Sequence, residues 1–344
     1  RIYHPDRIKT PLLKDKETWR PISFSEALAL LKEKAAGAAK KGPNRVRMLT
    51  EAEGECLLKL FEASLNRWNS AGPLVFEPFA YKSLKSANEK IFGINGLVSY
   101  HLQDADILIS FGADFVETWL SPIEYAEKFK AMHALKNGGK GLFFQVSPYQ
   151  SVTAANADLW MSCAPGGEVT VVMALIDGVL NQGRGRHLPE SFRLSLAQTV
   201  SAFAGTRELQ HSGISEDHFQ MLLFRIMDAS KPLVLGTGNG SSGGNDFQTQ
   251  AAVNLLNLVL DPKLTLFDFA NRHHAEIAAD RLEVQRFFTA LKEEPADLLL
   301  LNNTNPVYSL PPDSNVKKAL SKDSLFVVNF TNFMDETAQY SDLL

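Results

Sequence analysis

Two cysteines, Cys56 and Cys163, are all that this chain of 344 residues contains, too few for a disulfide framework or a thiolate metal site. It has no basic block and no basic stripe interleaved with aromatics. With Lys+Arg at 35 and Asp+Glu at 39, the formal charge is −4. Nucleic-acid binding, which leans on neutralising phosphates, is therefore not expected. Long apolar runs are missing too. The longest, such as residues 171–176 and 298–301, fall far short of the ~20 needed to cross a bilayer, so no membrane-spanning segment is expected. There is no P-loop, no H-E-x-x-H, no C-x-x-C and no G-x-S-x-G elbow. Neither an initiator Met nor an export signal opens the sequence, and it reads as a segment of a longer protein.

What is present is a globular composition, 45% hydrophobic and 22% charged, with length for about two or three domains. Runs rich in Val, Ile, Leu and Phe recur with helical stretches between them. That pattern predicts parallel strands buried on both faces, at residues 45–49, 74–76, 106–111, 141–146, 158–162, 232–235, 263–267, 297–301 and 325–330. The fold class is α/β. Ser23 and Glu26 form a capping box at the head of a first helix whose apolar face is Ala27, Leu28, Leu30 and Leu31. Residues 181–215 are polar and glycine-rich and read as surface excursions around a short helix.

Several motifs carry ordinary readings. Leu235-Gly236-Thr237-Gly238-Asn239-Gly240 lies between a strand and a helix, where backbone N–H groups could cradle a phosphate. Its glycine spacing fits the dinucleotide fingerprint poorly, and a glycine-rich turn explains it as well. His273 and His274 are adjacent, about 100° apart on a helix, and poorly placed to share one ion. Cys56 and Cys163 read as small buried apolar residues.

Other segments gain meaning from their order. They are His4-Pro5-Asp6-Arg7; Ser110-Phe111-Gly112-Ala113-Asp114; Thr153-Ala154-Ala155-Asn156-Ala157-Asp158 with Pro165-Gly166-Gly167-Glu168; Asn303-Thr304-Asn305-Pro306-Val307-Tyr308; and Asp335-Glu336-Thr337. Together, over almost the whole chain, they resemble the molybdopterin oxidoreductase superfamily, whose large subunits hold a bis-molybdopterin guanine dinucleotide.

The resemblance implies two Rossmann-like parallel-sheet domains. A connecting segment of residues 1–20 would lead into a discontinuous domain of residues 21–76 and 228–344, with residues 77–227 inserted. If the dinucleotide cofactor with molybdenum or tungsten is bound, the matching positions are Gly112, Asp114, Ser147, Pro165, Gly166, Gly236, Gly238, Asn305, Pro306 and Thr337. The metal-ligand position falls on Ala80, which has no donor atom.

Departures from the family pattern point to one branch. Asp114 stands where the family usually carries an amide, and an anion 4 Å from a pyrophosphate is repelled by ~4 kcal/mol at an effective dielectric of ~20. Ser147-Pro148-Tyr149 replaces D-P-R and removes a cationic clamp that Tyr cannot replace. These changes resemble the molybdopterin-like subunits of alternative complex III and the related quinone reductase complex. That branch implies a cofactor-free scaffold with no catalytic residue. It implies iron–sulfur, cytochrome and integral membrane partner subunits on the periplasmic face of a bacterial membrane, an iron–sulfur cluster in a partner or before Arg1, and a cleft narrowed by Phe115 and Tyr149. The alternatives are an active bis-molybdopterin guanine dinucleotide oxidoreductase and a nicotinamide-dependent enzyme.

Overall fold

The computed structural model describes residues 3–135, 139–203, 205–236 and 244–344. Its strands in chain order are β1 (Leu12–Asp15), β2 (Thr18–Pro21), β3 (Val46–Thr50), β4 (Leu74–Val75), β5 (Ser99–Tyr100), β6 (Ile107–Phe111), β7 (Leu142–Ser147), β8 (Leu159–Ser162), β9 (Pro232–Gly236), β10 (Phe267–Asp268), β11 (Leu298–Asn302) and β12 (Phe326–Phe330). The α-helices are α1 (Phe24–Lys41), α2 (Glu55–Arg67), α3 (Lys82–Phe92), α4 (Pro122–His133), α5 (Val152–Ala155), α6 (Glu168–Asn181), α7 (Glu190–Ser201), α8 (Thr206–His211), α9 (Glu216–Asp228), α10 (Asp246–Leu260), α11 (Arg281–Glu293), α12 (Pro306–Ser309) and α13 (Val316–Leu320). The fold is α/β, as the recurrence of buried runs predicts.

The chain divides into two units, Arg1–Ala80 with Ile277–Leu344, and Tyr81–Glu276. In the first unit a parallel sheet runs in the order β12-β11-β3-β4. Period-2 alternation loads both of its faces. Leu298 and Leu300 turn to a cluster with Ala35, Ala38 and Leu65, and Leu299 and Leu301 to one with Val284, Phe288 and Leu320. Helix α1 starts where expected, on the reciprocal Ser23–Glu26 capping box. The first 20 residues are more than a connection: β1 and β2 form an antiparallel hairpin, and Leu12 exchanges backbone hydrogen bonds with Leu344.

In the second unit the parallel order is β8-β7-β6-β9. Ile107, Ile109 and Phe111 face the cluster built on α6, α9 and α10, and Leu108 faces the aromatic cluster of Tyr100, Trp119, Tyr125 and Phe143.

Three sequence expectations are corrected. Residues 228–276 belong to the second unit, because β9 pairs with β6 in parallel register from Ile107↔Pro232 to Phe111↔Gly236. Residues 181–215 form two helices, α7 and α8, and Leu196, Val200 and Leu209 join the core; the i, i+4 apolar pair was masked by polar neighbours. Of the expected strand at 263–267 only Phe267 pairs, together with Asp268 beyond it, because the Asp261 carboxylate accepts the N–H groups of Lys263 (2.9 Å) and Thr265 (2.6 Å) and bends the backbone into a turn.

Candidate functional site

In an open parallel sheet, ligands bind beyond the C-terminal strand ends, where the strand order reverses. In the second unit this reversal falls between β6 and β9, followed by Gly112 and ending in Gly236. Gly112 has φ 85°, in the left-handed region that favours glycine. Gly236 is fixed by packing instead: a Cβ there would lie 2.8 Å from Gln250 Oε1 and 2.9 Å from Val253 Cγ2, both on α10. Gly238 lies outside the described residues.

Asp114 is buried, and its carboxylate is engaged by its own unit. The Thr153 N–H donates to Oδ1 (3.3 Å) and the Thr118 hydroxyl donates to Oδ2 (3.5 Å). Ser147, also buried, donates to the Tyr149 carbonyl (2.8 Å) and accepts from Trp160 Nε1 (3.2 Å). Pro165 and Gly166 are exposed ahead of α6, where Asn245 Nδ2 donates to the Gly166 carbonyl. Burial, then the nearby Asp246, pushes the pKa of Glu168 up, while the backbone of its own residue and of Gly166 opposes this. Phe115, expected at a cleft, is fully buried between Phe129 and Phe143. Tyr149 is 64% exposed.

In the first unit the reversal falls between β3 and β11. Asn305 and Thr337 meet there: the Thr337 hydroxyl donates to Asn305 Oδ1 (2.7 Å), Asn305 Nδ2 donates to Glu336 (2.7 Å), and the Val307 N–H donates to Thr337 Oγ1 (3.1 Å). Pro306 opens α12 directly behind them. Ala80, at the expected metal-ligand position, offers no side-chain donor. Among the described residues no group of three or more His, Cys, Asp or Glu could hold a metal ion.

Residues that sequence reasoning missed stand at this same edge. Glu53 Oε1 accepts from Asn302 Nδ2 (2.8 Å) and Asn303 Nδ2 (3.1 Å), and Glu77 Oε1 accepts the Ala52 N–H (3.0 Å). Burial, then Glu53 and Glu77, pushes the pKa of Glu51 up. A cavity of about 670 Å³ opens here, lined by Arg7, Glu51, Thr304, Asn305 and Asp335 among others. Thr304 is buried, and its hydroxyl has no hydrogen-bond partner among the described residues. The signal was available, since Glu51 and Glu53 come within four residues of the predicted strand at 45–49. A second groove of about 850 Å³ has an apolar floor of Phe24, Leu28, Leu31 and Phe330; Leu28, on the apolar face of α1, is 53% exposed. Cys56, expected to be buried, is exposed on α2.

The donor set fits an anionic dinucleotide poorly. In each unit taken alone, Asp114, Ser147, Asn305 and Thr337 on the strand-end loops are engaged within the chain, the Thr304 hydroxyl being the exception, and Glu51, Glu53, Glu77, Asp114 and Glu168 oppose a pyrophosphate.

Two parallel sheets, each with a reversal of strand order, define the class as open α/β proteins. The molybdopterin oxidoreductase family model matches residues 7–344, and the chain belongs to that family. It is 25% identical over 358 aligned positions, the whole of this chain, to the menaquinone reductase molybdopterin-binding-like subunit of Nitratidesulfovibrio vulgaris. It is 22% identical over 309 positions, 76% of this chain, to a nitrate reductase of Shewanella frigidimarina. The chain spans 50% of the first relative and 32% of the second. Among solved structures, acetylene hydratase from Pelobacter acetylenicus superposes on 99% of this chain and 55% of its own, with TM-score 0.69 and 15% identity, a likeness of fold. Among the described residues no helix is long and apolar enough to cross a membrane.

Proposed function

We propose that this chain is a cofactor-free molybdopterin-oxidoreductase-like scaffold in a membrane quinone-linked respiratory complex. It docks iron–sulfur, cytochrome and integral membrane subunits on the periplasmic face, and electrons pass through those partners. One observation carries this reading: the Asp114 carboxylate stands where the family usually places an amide, and its own unit engages it through Thr153 and Thr118. The whole-length likeness to a subunit named molybdopterin-binding-like supports it. No residue of the chain is given a catalytic role.

A second reading, an active bis-molybdopterin guanine dinucleotide enzyme, is favoured by the unpartnered Thr304 hydroxyl on a cavity wall beside Asn305. Under it, Gly112, Asp114, Ser147, Pro165, Gly166, Gly236, Gly238, Asn305, Pro306 and Thr337 would hold the cofactor. Metal analysis and oxidised-pterin fluorescence on the full-length protein separate the two. The scaffold reading expects neither molybdenum, tungsten nor pterin, and one equivalent of metal with pterin refutes it.

A further inference from the structure

Loops at the C-terminal ends of parallel strands expose backbone N–H groups that elsewhere bind phosphate. Each unit here places one of its own carboxylates on such a group. In the second unit Asp114, following β6, accepts the N–H of Thr153, in the short helix α5 that follows β7. In the first, Glu77, following β4, accepts the N–H of Ala52, in the turn that follows β3. We infer that Asp114 and Glu77 act as internal stand-ins for phosphate, so that each sheet edge is complete without a ligand and rejects an incoming anion.

The surrounding charge agrees. Glu51 and Glu53 flank Ala52 in sequence, and the crowding of Glu51 by Glu53 and Glu77 marks a negative potential there. The nearby cation lining the cavity, Arg7, is turned to Asn332 Oδ1 through Nε (3.1 Å) and Nη2 (2.9 Å). A backbone N–H already bound to a carboxylate has no donor left for a phosphate oxygen, and a second anion at hydrogen-bond range meets direct repulsion.

This inference deepens the scaffold reading and rests on it. The test is thermal unfolding of the full chain with and without millimolar pyrophosphate or GDP. The wild type is expected to keep its Tm in both. Asp114→Ala and Glu77→Ala are each expected to lower Tm by several degrees. Glu77→Gln, which keeps an acceptor oxygen, is expected to recover most of the loss, and it keeps the test open if Asp114→Ala does not fold. A wild-type Tm that rises with either anion overturns the inference, as does an unchanged Tm in Glu77→Ala. Pterin content of the same preparation is read separately. Pterin in the chain refutes the scaffold reading, whereas a pterin-free chain that responds to pyrophosphate refutes this inference alone.

Discussion

Asp114 and Thr153 clasp each other's loops from both sides: the Thr153 N–H donates to Asp114 Oδ1 at 3.3 Å, and Thr153 Oγ1 accepts the N–H of Val116 at 3.1 Å. Both residues are buried, so neither loop can exchange these bonds for water without moving. The clasp joins the loop after β6 to α5 itself. It explains why two short polar segments distant in sequence act as one structural piece.

Replacing Thr153 by Val keeps the side-chain shape and strands the Val116 N–H. Val116 is half-buried, so stranding its N–H costs about 1 kcal/mol, the low end for an unsatisfied donor, and urea unfolding of Thr153→Val should show that loss with an unchanged m-value. An unaltered midpoint would mean that the loop does not depend on the hydroxyl.

Gly236 tests whether its position answers to a ligand or to packing. A Cβ there meets Gln250 Oε1 at 2.8 Å and Val253 Cγ2 at 2.9 Å, so in Gly236→Ala these side chains of α10 must shift. Overpacking of this kind costs about 1–3 kcal/mol, and chemical denaturation should report it in the absence of any ligand. Full wild-type stability would return the glycine to a binding role.

Much of the fold was legible because buried parallel strands announce themselves as apolar runs. Leu298 to Leu301 could hardly be anything else, and Ser23 and Glu26 fixed the start of α1. Long-range pairing was the hidden part. Nothing local in residues 232–236 says that β9 joins β6 rather than the first sheet, because strand order is set by which edge remains free. Site residues were harder. Phe115 looked like a cleft residue because it follows a loop motif, yet its ring lies among Phe129 and Phe143, which come from elements that the sequence does not place beside it. The acidic edge of Glu51, Glu53 and Glu77 was missed because Glu77 comes 24 residues after Glu53 and reaches Ala52 only once β4 has paired with β3.

His273 gives the chain a pH-dependent element. Its Nε2 lies 2.7 Å from the Tyr125 hydroxyl and 3.2 Å from Ser99 Oγ, an arrangement that suits a neutral ring accepting a proton donor. Burial, aided by Lys128, holds its pKa below the ordinary histidine value, while Glu124 and Glu276 oppose this. Above about pH 6.5 both folded and unfolded chains carry neutral histidine, and the contribution is fully present. As pH falls through that value the unfolded chain binds the proton first, so stability is lost toward the lower folded pKa. The Tm difference between wild type and His273→Gln should therefore shrink from about pH 8 to about pH 5. A constant difference would remove His273 from the acid response.

The two thiols should differ in reactivity, because thiolate is the nucleophile and both exposure and pKa control it. Cys56 is exposed on the first turn of α2, free to meet a reagent. Cys163 is buried, and burial, followed by the neighbouring Glu168 carboxylate, pushes its thiol up to about 12. At about pH 8 that leaves roughly one part in ten thousand as thiolate, far below an ordinary exposed cysteine. A disulfide reagent added to the native chain should modify one thiol quickly and the second only after urea unfolding. Cys56→Ser should abolish the fast phase, and Cys163→Ala should leave it intact. Two fast thiols in the native protein would show that the loop after β8 opens readily and that Cys163 does not belong to the core cluster of the second unit.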